Sequence, residues 1–121
     1  MKRPNLVYIF ADQWRASATG YNGDPNVKTP NIDKLSQESI NFANTISNCP
    51  ICTPYRASLM TGQYPLTTGI FMNDLCLAEN VPDTTFFAEA YKNGGYETAY
   101  IGKWQCDAFL TEKVRHGCKV A

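Results

Sequence analysis

Short apolar runs alternate along the chain with polar stretches that are rich in turn residues. Residues 6–10 form a continuous apolar run of β-branched and aromatic side chains, which predicts a strand buried on both faces. Residues 17–30 contain several Gly, Asn, Asp and Pro residues, which indicates a loop. Thr29 as N-cap, with proline directly after it, predicts a helix over residues 30–39. Residues 40–46 then predict a weaker strand.

The second half of the chain continues this alternation. A helix is predicted over residues 53–62, with proline in its first turn and glycine at its end. Residues 63–82 have no clear period and predict a long loop with at most one turn of helix. Asp83 or Thr84 can cap a further helix that ends at consecutive glycines, and residues 96–101 predict a returning strand. The apolar face of that helix comprises Phe86, Phe87, Ala90 and Tyr91.

Strands that alternate with helices predict an α/β fold, a mostly parallel sheet with helices packed on its faces. In such sheets ligands bind beyond the carboxyl ends of the strands. Asp12 and Gln13 follow the first predicted strand, Cys52 precedes a helix, and Lys103 follows the last predicted strand. We therefore expect these segments to share one crevice.

Composition narrows the class of protein. The chain has 121 residues, about one domain, and its 11 Lys plus Arg balance its 11 Asp plus Glu. Neutral charge argues against a nucleic-acid partner, and the apolar run 6–10 is too short for a membrane span or a signal segment, so we expect a cytoplasmic protein without a membrane partner. Five cysteines disfavour a secreted disulfide framework and favour free thiols or one chemically special cysteine.

The most informative stretch is residues 52–62, CTPYRASLMTG. It matches the pattern C-x-P-x-R followed by A-S-L-x-T-G, and in this the chain resembles the sulfatases of the alkaline-phosphatase-like superfamily. The first predicted strand with its Asp-Gln ending, and residues 100–104, are also similar to that family. On this resemblance residues 1–105 form the N-terminal part of a sulfatase catalytic domain, apparently truncated. Residues 106–121 form an unmatched tail, which suggests a truncated, frameshifted or alternatively ended product.

The resemblance implies the chemistry of a sulfuric ester hydrolase. It makes Cys52 the precursor of formylglycine, produced by a maturation enzyme, whose hydrate attacks the sulfur of a small-molecule or carbohydrate sulfate ester. It implies that Arg56 and Lys103 stabilise the charge of the sulfate. It also implies a divalent cation, calcium, at a site comprising Asp12, Gln13 and the modified Cys52.

The residues themselves agree in part with that chemistry. A helix start at Cys52 offers N–H groups and partial positive charge to an anion, and Arg56 is a fixed cation nearby. However, Gln105 occupies the place of the family's histidine, and glutamine cannot serve as a general acid. The family's later ligands also lie outside this sequence. A remnant that binds an anion without turnover, and a phosphonate or phosphate monoester hydrolase, therefore remain alternatives.

Cys49 and Cys52 also form a C-x-x-C pair. Such a pair is typical of redox sites or of half a zinc site, but no second pair accompanies it. This alternative stays open beside the formylglycine interpretation.

Overall fold

The computed structural model describes residues 3–106 and 119–120. The chain divides into two compact units, residues 1–45 and residues 46–121, and each is described by itself. Most of the tail expected at 106–121 lies outside the described residues.

The first unit contains a 3-10 turn, Gly20–Asn22, and helix α1, Pro30–Gln37, which confirms the helix predicted here. Thr29 does precede this helix, but its side chain does not cap a backbone N–H. Its hydroxyl donates to Asp33 Oδ1 at 2.7 Å and accepts from the Gly20 N–H at 2.8 Å. The threonine thus joins the 3-10 turn to the helix.

The strands predicted at residues 6–10 and 40–46 are absent, since neither segment has regular secondary structure. Most of their apolar side chains are exposed, with Ile9 87% and Ile46 89% accessible. A strand is stable only when neighbouring backbone satisfies its N–H and C=O groups, and neither segment belongs to the sheet of the described residues. Local pattern alone therefore overestimated the strand content.

Helix α2, Cys52–Thr61, is the first helix of the second unit and confirms the predicted helix with a start one residue earlier. Gly62 ends it in the left-handed region at φ 68°, and its N–H donates to the Ser58 carbonyl at 2.8 Å. Glycine adopts this conformation without a Cβ penalty, so the predicted stop is confirmed.

Residues 63–82 hold more structure than predicted. Two four-residue helices, α3 at Pro65–Thr68 and α4 at Leu77–Asn80, lie in this stretch. Ile70 and Leu77 are fully buried there. Elements this short show no readable period, so their core residues were not apparent from the pattern.

Helix α5, Phe87–Asn93, confirms the third predicted helix and its end at the consecutive glycines, but not its predicted N-cap. Glu89 Oε2 accepts a hydrogen bond from the Phe86 N–H at 3.0 Å, so the start is satisfied from inside the helix and not by the two polar residues expected to cap it. Strand β1, Ala99–Tyr100, pairs in parallel with β2, Lys119–Val120. This two-residue pair is the only sheet in the described part of the chain.

The hydrophobic core of the described residues lies in the second unit. It packs α2 against α4, α5 and the segment that follows β1, and comprises Ala57, Met60, Ile70, Leu77, Val81, Phe86, Trp104 and Cys106. Across residues 3–106 and 119–120 no helix is both long enough and apolar enough to traverse a lipid bilayer.

Candidate active site

Helix α2 places Cys52 at its first residue, half-buried. Ile51 precedes it in an extended conformation, and the Tyr55 N–H donates to the Ile51 carbonyl at 2.9 Å, which closes the first turn. The N-cap side chain makes no capping hydrogen bond. The cysteine therefore lies at the positive end of the helix dipole, as the motif predicted.

Asn73 lies against this helix start, although sequence reasoning left it out of the site. Its Oδ1 accepts the Thr53 N–H at 3.0 Å. Pro54 follows and has no N–H to donate. An anion at this helix start thus meets fewer available N–H groups than expected, because a side-chain amide already occupies one of them. An isolated asparagine in an aperiodic loop carries no sequence signal for such a contact.

Thr53 is fully buried and connects this helix start to two distant segments. Its Oγ1 lies 2.9 Å from the Gln105 carbonyl oxygen and 3.1 Å from the Asn73 carbonyl oxygen. Since a hydroxyl has one proton to donate, the two carbonyls share it. These contacts hold residues 73 and 105 beside the residue that follows Cys52.

Lys103 and Cys52 are brought together, as the sequence predicted. Lys103 Nζ lies 3.4 Å from Cys52 Sγ, although 51 positions separate the two residues. The lysine is exposed and the cysteine half-buried, so the pair faces solvent on one side. An ammonium group at this distance favours negative charge on atoms attached to Cβ of residue 52.

Arg56 is buried, with 3% of its surface exposed, one turn into α2. Its Nη1 donates to Tyr100 Oη at 2.7 Å and to the Lys103 carbonyl oxygen at 2.5 Å. The guanidinium group therefore anchors the backbone that carries Lys103. Its expected contact with a sulfate stays a prediction.

Asp12 and Gln13 belong to the first unit, where both are exposed. A carboxylate and an amide carbonyl are oxygen donors of the kind that calcium prefers, so the donor chemistry fits the implied cation. Within residues 3–106 and 119–120, no group of three or more His, Cys, Asp and Glu side chains is placed to hold a metal. The expected role of Asp12 and Gln13 as metal ligands therefore stays a prediction.

Gln13 and Gln105 share an unusual backbone conformation. Their φ angles are 46° and 50°, and they are the described non-glycine residues with positive φ. Glutamine has no special tolerance for this region, which costs about 1–3 kcal/mol and is concentrated at functional positions. The sequence gives no hint of this conformation, but it falls on two positions that the motif comparison had singled out.

Comparison with known proteins finds similar sequences. A family model described as Sulfatase matches residues 4–117. The chain is 56% identical over 105 residues to an ulvan-active sulfatase of Formosa agariphila, covering 87% of the chain and 20% of that protein. It is 36% identical to human steryl-sulfatase over 110 residues, covering 84% of the chain and 19% of that protein.

The backbone of the chain is also similar to that of a solved structure. The structure of yidJ from Bacteroides fragilis, assigned as a sulfatase, superposes with a TM-score of 0.78 at 40% identity. The match covers 92% of this chain and 25% of that one, and the chain spans about one fifth of the length of the curated relatives it matches. With the C-x-P-x-R motif at the start of α2 and this agreement in sequence and backbone, the chain belongs to the sulfatase family.

Proposed function

We propose that this chain carries the nucleophile-bearing part of a site that hydrolyses sulfuric esters. The observation that carries the proposal is Lys103 Nζ at 3.4 Å from Cys52 Sγ, at the first residue of α2. In this proposal a maturation enzyme oxidises Cys52 to formylglycine, and the hydrated aldehyde presents two hydroxyl groups. Membership of a family that includes an ulvan-active sulfatase and a steryl-sulfatase supports it.

The proposed reaction proceeds through a covalent sulfate ester of the enzyme. One hydroxyl of the hydrate attacks the sulfur and the substrate alcohol leaves with a proton. Loss of the proton from the other hydroxyl then expels sulfate and regenerates the aldehyde, which water hydrates again. Lys103 offsets the charge on the sulfate oxygens, and Arg56 holds the Lys103 backbone in place.

Asp12 and Gln13 are the residues of this chain that would hold a divalent cation, for which we propose calcium. They supply oxygen donors, and the modified Cys52 is the third residue proposed for the site. When bound, such a cation lowers the pKa of a coordinated hydroxyl and polarises the sulfate. The remaining ligands that calcium needs would come from other groups or from water.

Two further proposals concern the wider fold and the substrate. We propose that the parallel pair β1–β2 belongs to a larger, mostly parallel sheet with helices on its faces in a protein of the relatives' length. We also propose a carbohydrate sulfate ester as substrate. The ulvan-active relative and a Bacteroides thetaiotaomicron sulfatase described in the metabolism of multiple glycosaminoglycans favour this choice over a small steryl sulfate.

Maturation and turnover can be tested on the chain itself. The chain is expressed together with a formylglycine-generating enzyme, and the peptide containing residue 52 is mapped by mass for the aldehyde. We expect the aldehyde at Cys52, and hydrolysis of a chromogenic aryl sulfate that a calcium chelator suppresses. The Cys52→Ala variant is the matched control and should give neither signal. A folded, aldehyde-bearing chain that neither turns over nor binds sulfate would contradict the proposal.

A second function, anion binding without turnover, is favoured by one specific observation. Gln105 lies beside the helix start through the Thr53 hydroxyl contact, and its amide cannot deliver a proton to a leaving group. Isothermal titration with inorganic sulfate separates the two cases, since binding without hydrolysis supports this second function. Lys103→Gln should weaken sulfate binding about tenfold in either case, because it removes a charge-assisted contact. Assays with phosphate and phosphonate monoesters test the alternative hydrolase activities.

A further inference from the structure

The position of the Lys103 amine depends in part on the backbone from which its side chain starts. The Lys103 side chain is long, flexible and exposed. Nevertheless its Nζ lies 3.4 Å from Cys52 Sγ. The backbone of residue 103 is therefore one determinant of where the amine lies.

Two donors hold that backbone at one atom. The Lys103 carbonyl oxygen accepts from Arg56 Nη1 and from Tyr100 Oη, both at 2.5 Å. Arg56 Nη1 also donates to Tyr100 Oη at 2.7 Å. The three groups close a triangle in which the tyrosine hydroxyl accepts from a cation and donates to the carbonyl. Hydrogen bonds from a charged donor are the stronger kind, and in a part-buried setting they polarise one another.

The tyrosine ring itself has a fixed position. It packs edge-on against Trp104 with the ring centroids 5.0 Å apart and an interplanar angle of 86°. Trp104 is buried in the core with 9% of its surface exposed. Gly102, at φ 116°, provides the turn between the strand residue and the lysine, a conformation that side-chain-bearing residues rarely adopt. The Tyr100 ring is thus packed against a core residue, and its hydroxyl is directed to the Lys103 carbonyl.

We infer that Tyr100 is a positioning residue, whose hydroxyl holds the Lys103 backbone so that the lysine amine stays beside residue 52. It acts through Lys103 and Arg56 and does not itself contact residue 52 in this inference. Its catalytic meaning rests on the proposed function, since Lys103 is proposed there to offset sulfate charge. The placement of the amine is a separate claim that can be measured without any sulfatase activity.

The measurement uses o-phthalaldehyde on the unmodified chain. This dialdehyde condenses with one amine and one thiol that lie close together, forms the C–N and C–S bonds of a fluorescent isoindole, and releases water without any oxidant. Wild-type protein should give an isoindole that peptide mapping locates at Cys52 and Lys103. Cys52→Ser and Lys103→Gln should each abolish that product.

Tyr100→Phe is the decisive variant because it removes one oxygen atom and keeps the ring on Trp104. We expect the yield of the Cys52–Lys103 product to fall about fivefold, as the loss of one hydrogen bond allows. Tyr64→Phe makes the same chemical change at an exposed tyrosine outside the triangle and should leave the yield unchanged. Near-ultraviolet circular dichroism and the thermal midpoint show whether each variant is folded.

Replacing Tyr100 with p-aminophenylalanine supplies the rescue. Its amine can donate to the Lys103 carbonyl from the same place, so the yield should return to at least half of the wild-type value. A merely structural role for the ring would not distinguish phenylalanine from p-aminophenylalanine.

Three results would overturn the inference. One is a wild-type chain that gives no Cys52–Lys103 product. Another is a folded Tyr100→Phe variant with wild-type yield. The third is a folded p-aminophenylalanine variant with less than one fifth of the wild-type yield of the Cys52–Lys103 product. This third result would overturn the inference even if the phenylalanine variant fails to fold. Failure of the proposed function would instead appear as missing turnover and missing sulfate binding, with these yields unchanged.

Discussion

Thr53 joins three segments of the chain that are far apart in sequence. Its backbone N–H binds the Asn73 side chain, and its hydroxyl is shared between the carbonyls of Asn73 and Gln105. In a C-x-P-x-R motif this position is written as x, because the motif constrains its neighbours and not this side chain. The structure shows that a buried hydroxyl at this place organises the surroundings of Cys52.

Replacing Thr53 with valine keeps the shape of the side chain and removes the hydroxyl. Two carbonyl oxygens then lose their donor in a part-buried place, so we expect the free energy of unfolding to fall by about 1 kcal/mol. Thr53→Ser retains the hydroxyl and should lose less than half as much. Urea unfolding followed by Trp fluorescence measures both. Equal losses in the two variants would show that the methyl group, not the hydroxyl, matters here.

Gln105 allows a second prediction for a single residue, which depends on the proposed function. In the aldehyde-bearing chain, Gln105→His should raise the hydrolysis rate of an alkyl sulfate relative to that of a nitrophenyl sulfate, by about a hundredfold, because only the poor leaving group needs a general acid. The acid form is the protonated imidazole, so this gain should be largest at low pH and should decline above about pH 6.5.

Gln105→Asn is the control for this change, since it keeps an amide at the position. An unchanged ratio between the two substrates across the pH range would argue against a leaving-group role for residue 105.

At the scale of elements, helix α2 has a clear start and a clear end. Its start lies at the motif cysteine, and Gly62 ends it with a left-handed residue. A Cβ added to Gly62 would meet no atom within 4 Å, so the cost of a side chain there is conformational and not steric. Glycine is therefore favoured at this position for its backbone conformation and not for lack of space.

Gly62→Ala should therefore destabilise the chain by about 1 kcal/mol, the cost of holding an alanine in the left-handed region. Gly62→Asn should cost less, because asparagine tolerates this region better. Thermal unfolding followed by circular dichroism compares the two variants with the wild type. A larger loss for asparagine than for alanine would contradict the conformational explanation.

Elements held by contacts between residues close in the sequence were predictable, and elements held by distant contacts were not. Helices α1, α2 and α5 form hydrogen bonds between residues four apart in the sequence, so local signals such as prolines, glycines and apolar spacing predicted them. The predicted strands at 6–10 and 40–46 depend on distant backbone, and the pattern could not show whether a partner is present. Helices α3 and α4 were not predicted, because four residues are too few to show the helical spacing of apolar residues.

At the scale of the whole molecule, apolar burial is uneven. In the described part of the chain every buried hydrophobic residue lies between Ala57 and Cys106, and helix α1 of the first unit has no buried residue. Burial is what makes local opening costly. The two units should therefore differ in their resistance to opening.

Amide hydrogen exchange followed by mass spectrometry tests this difference. Peptides from helix α2 should exchange on the order of tenfold more slowly than peptides from helix α1, after correction for intrinsic rates. The comparison is made within one sample, so concentration and pH affect both helices equally. Equal protection of the two helices would show that α1 gains stability from contacts other than apolar burial.

The sequence by itself determined the family, the motif at residues 52–62, and the three longer helices, because these depend on residue types at fixed local spacing. It also indicated Cys52 and Lys103 as partners, through the rule that segments at strand ends converge. Only the tertiary structure decided that Asn73 occupies an N–H at the start of α2, and that Arg56 and Tyr100 hold the Lys103 backbone. The Asn73 and Arg56 contacts join residues 20 and 47 positions apart, and no local pattern encodes a partner at such a distance. They form only when the core around α2 brings the segments together.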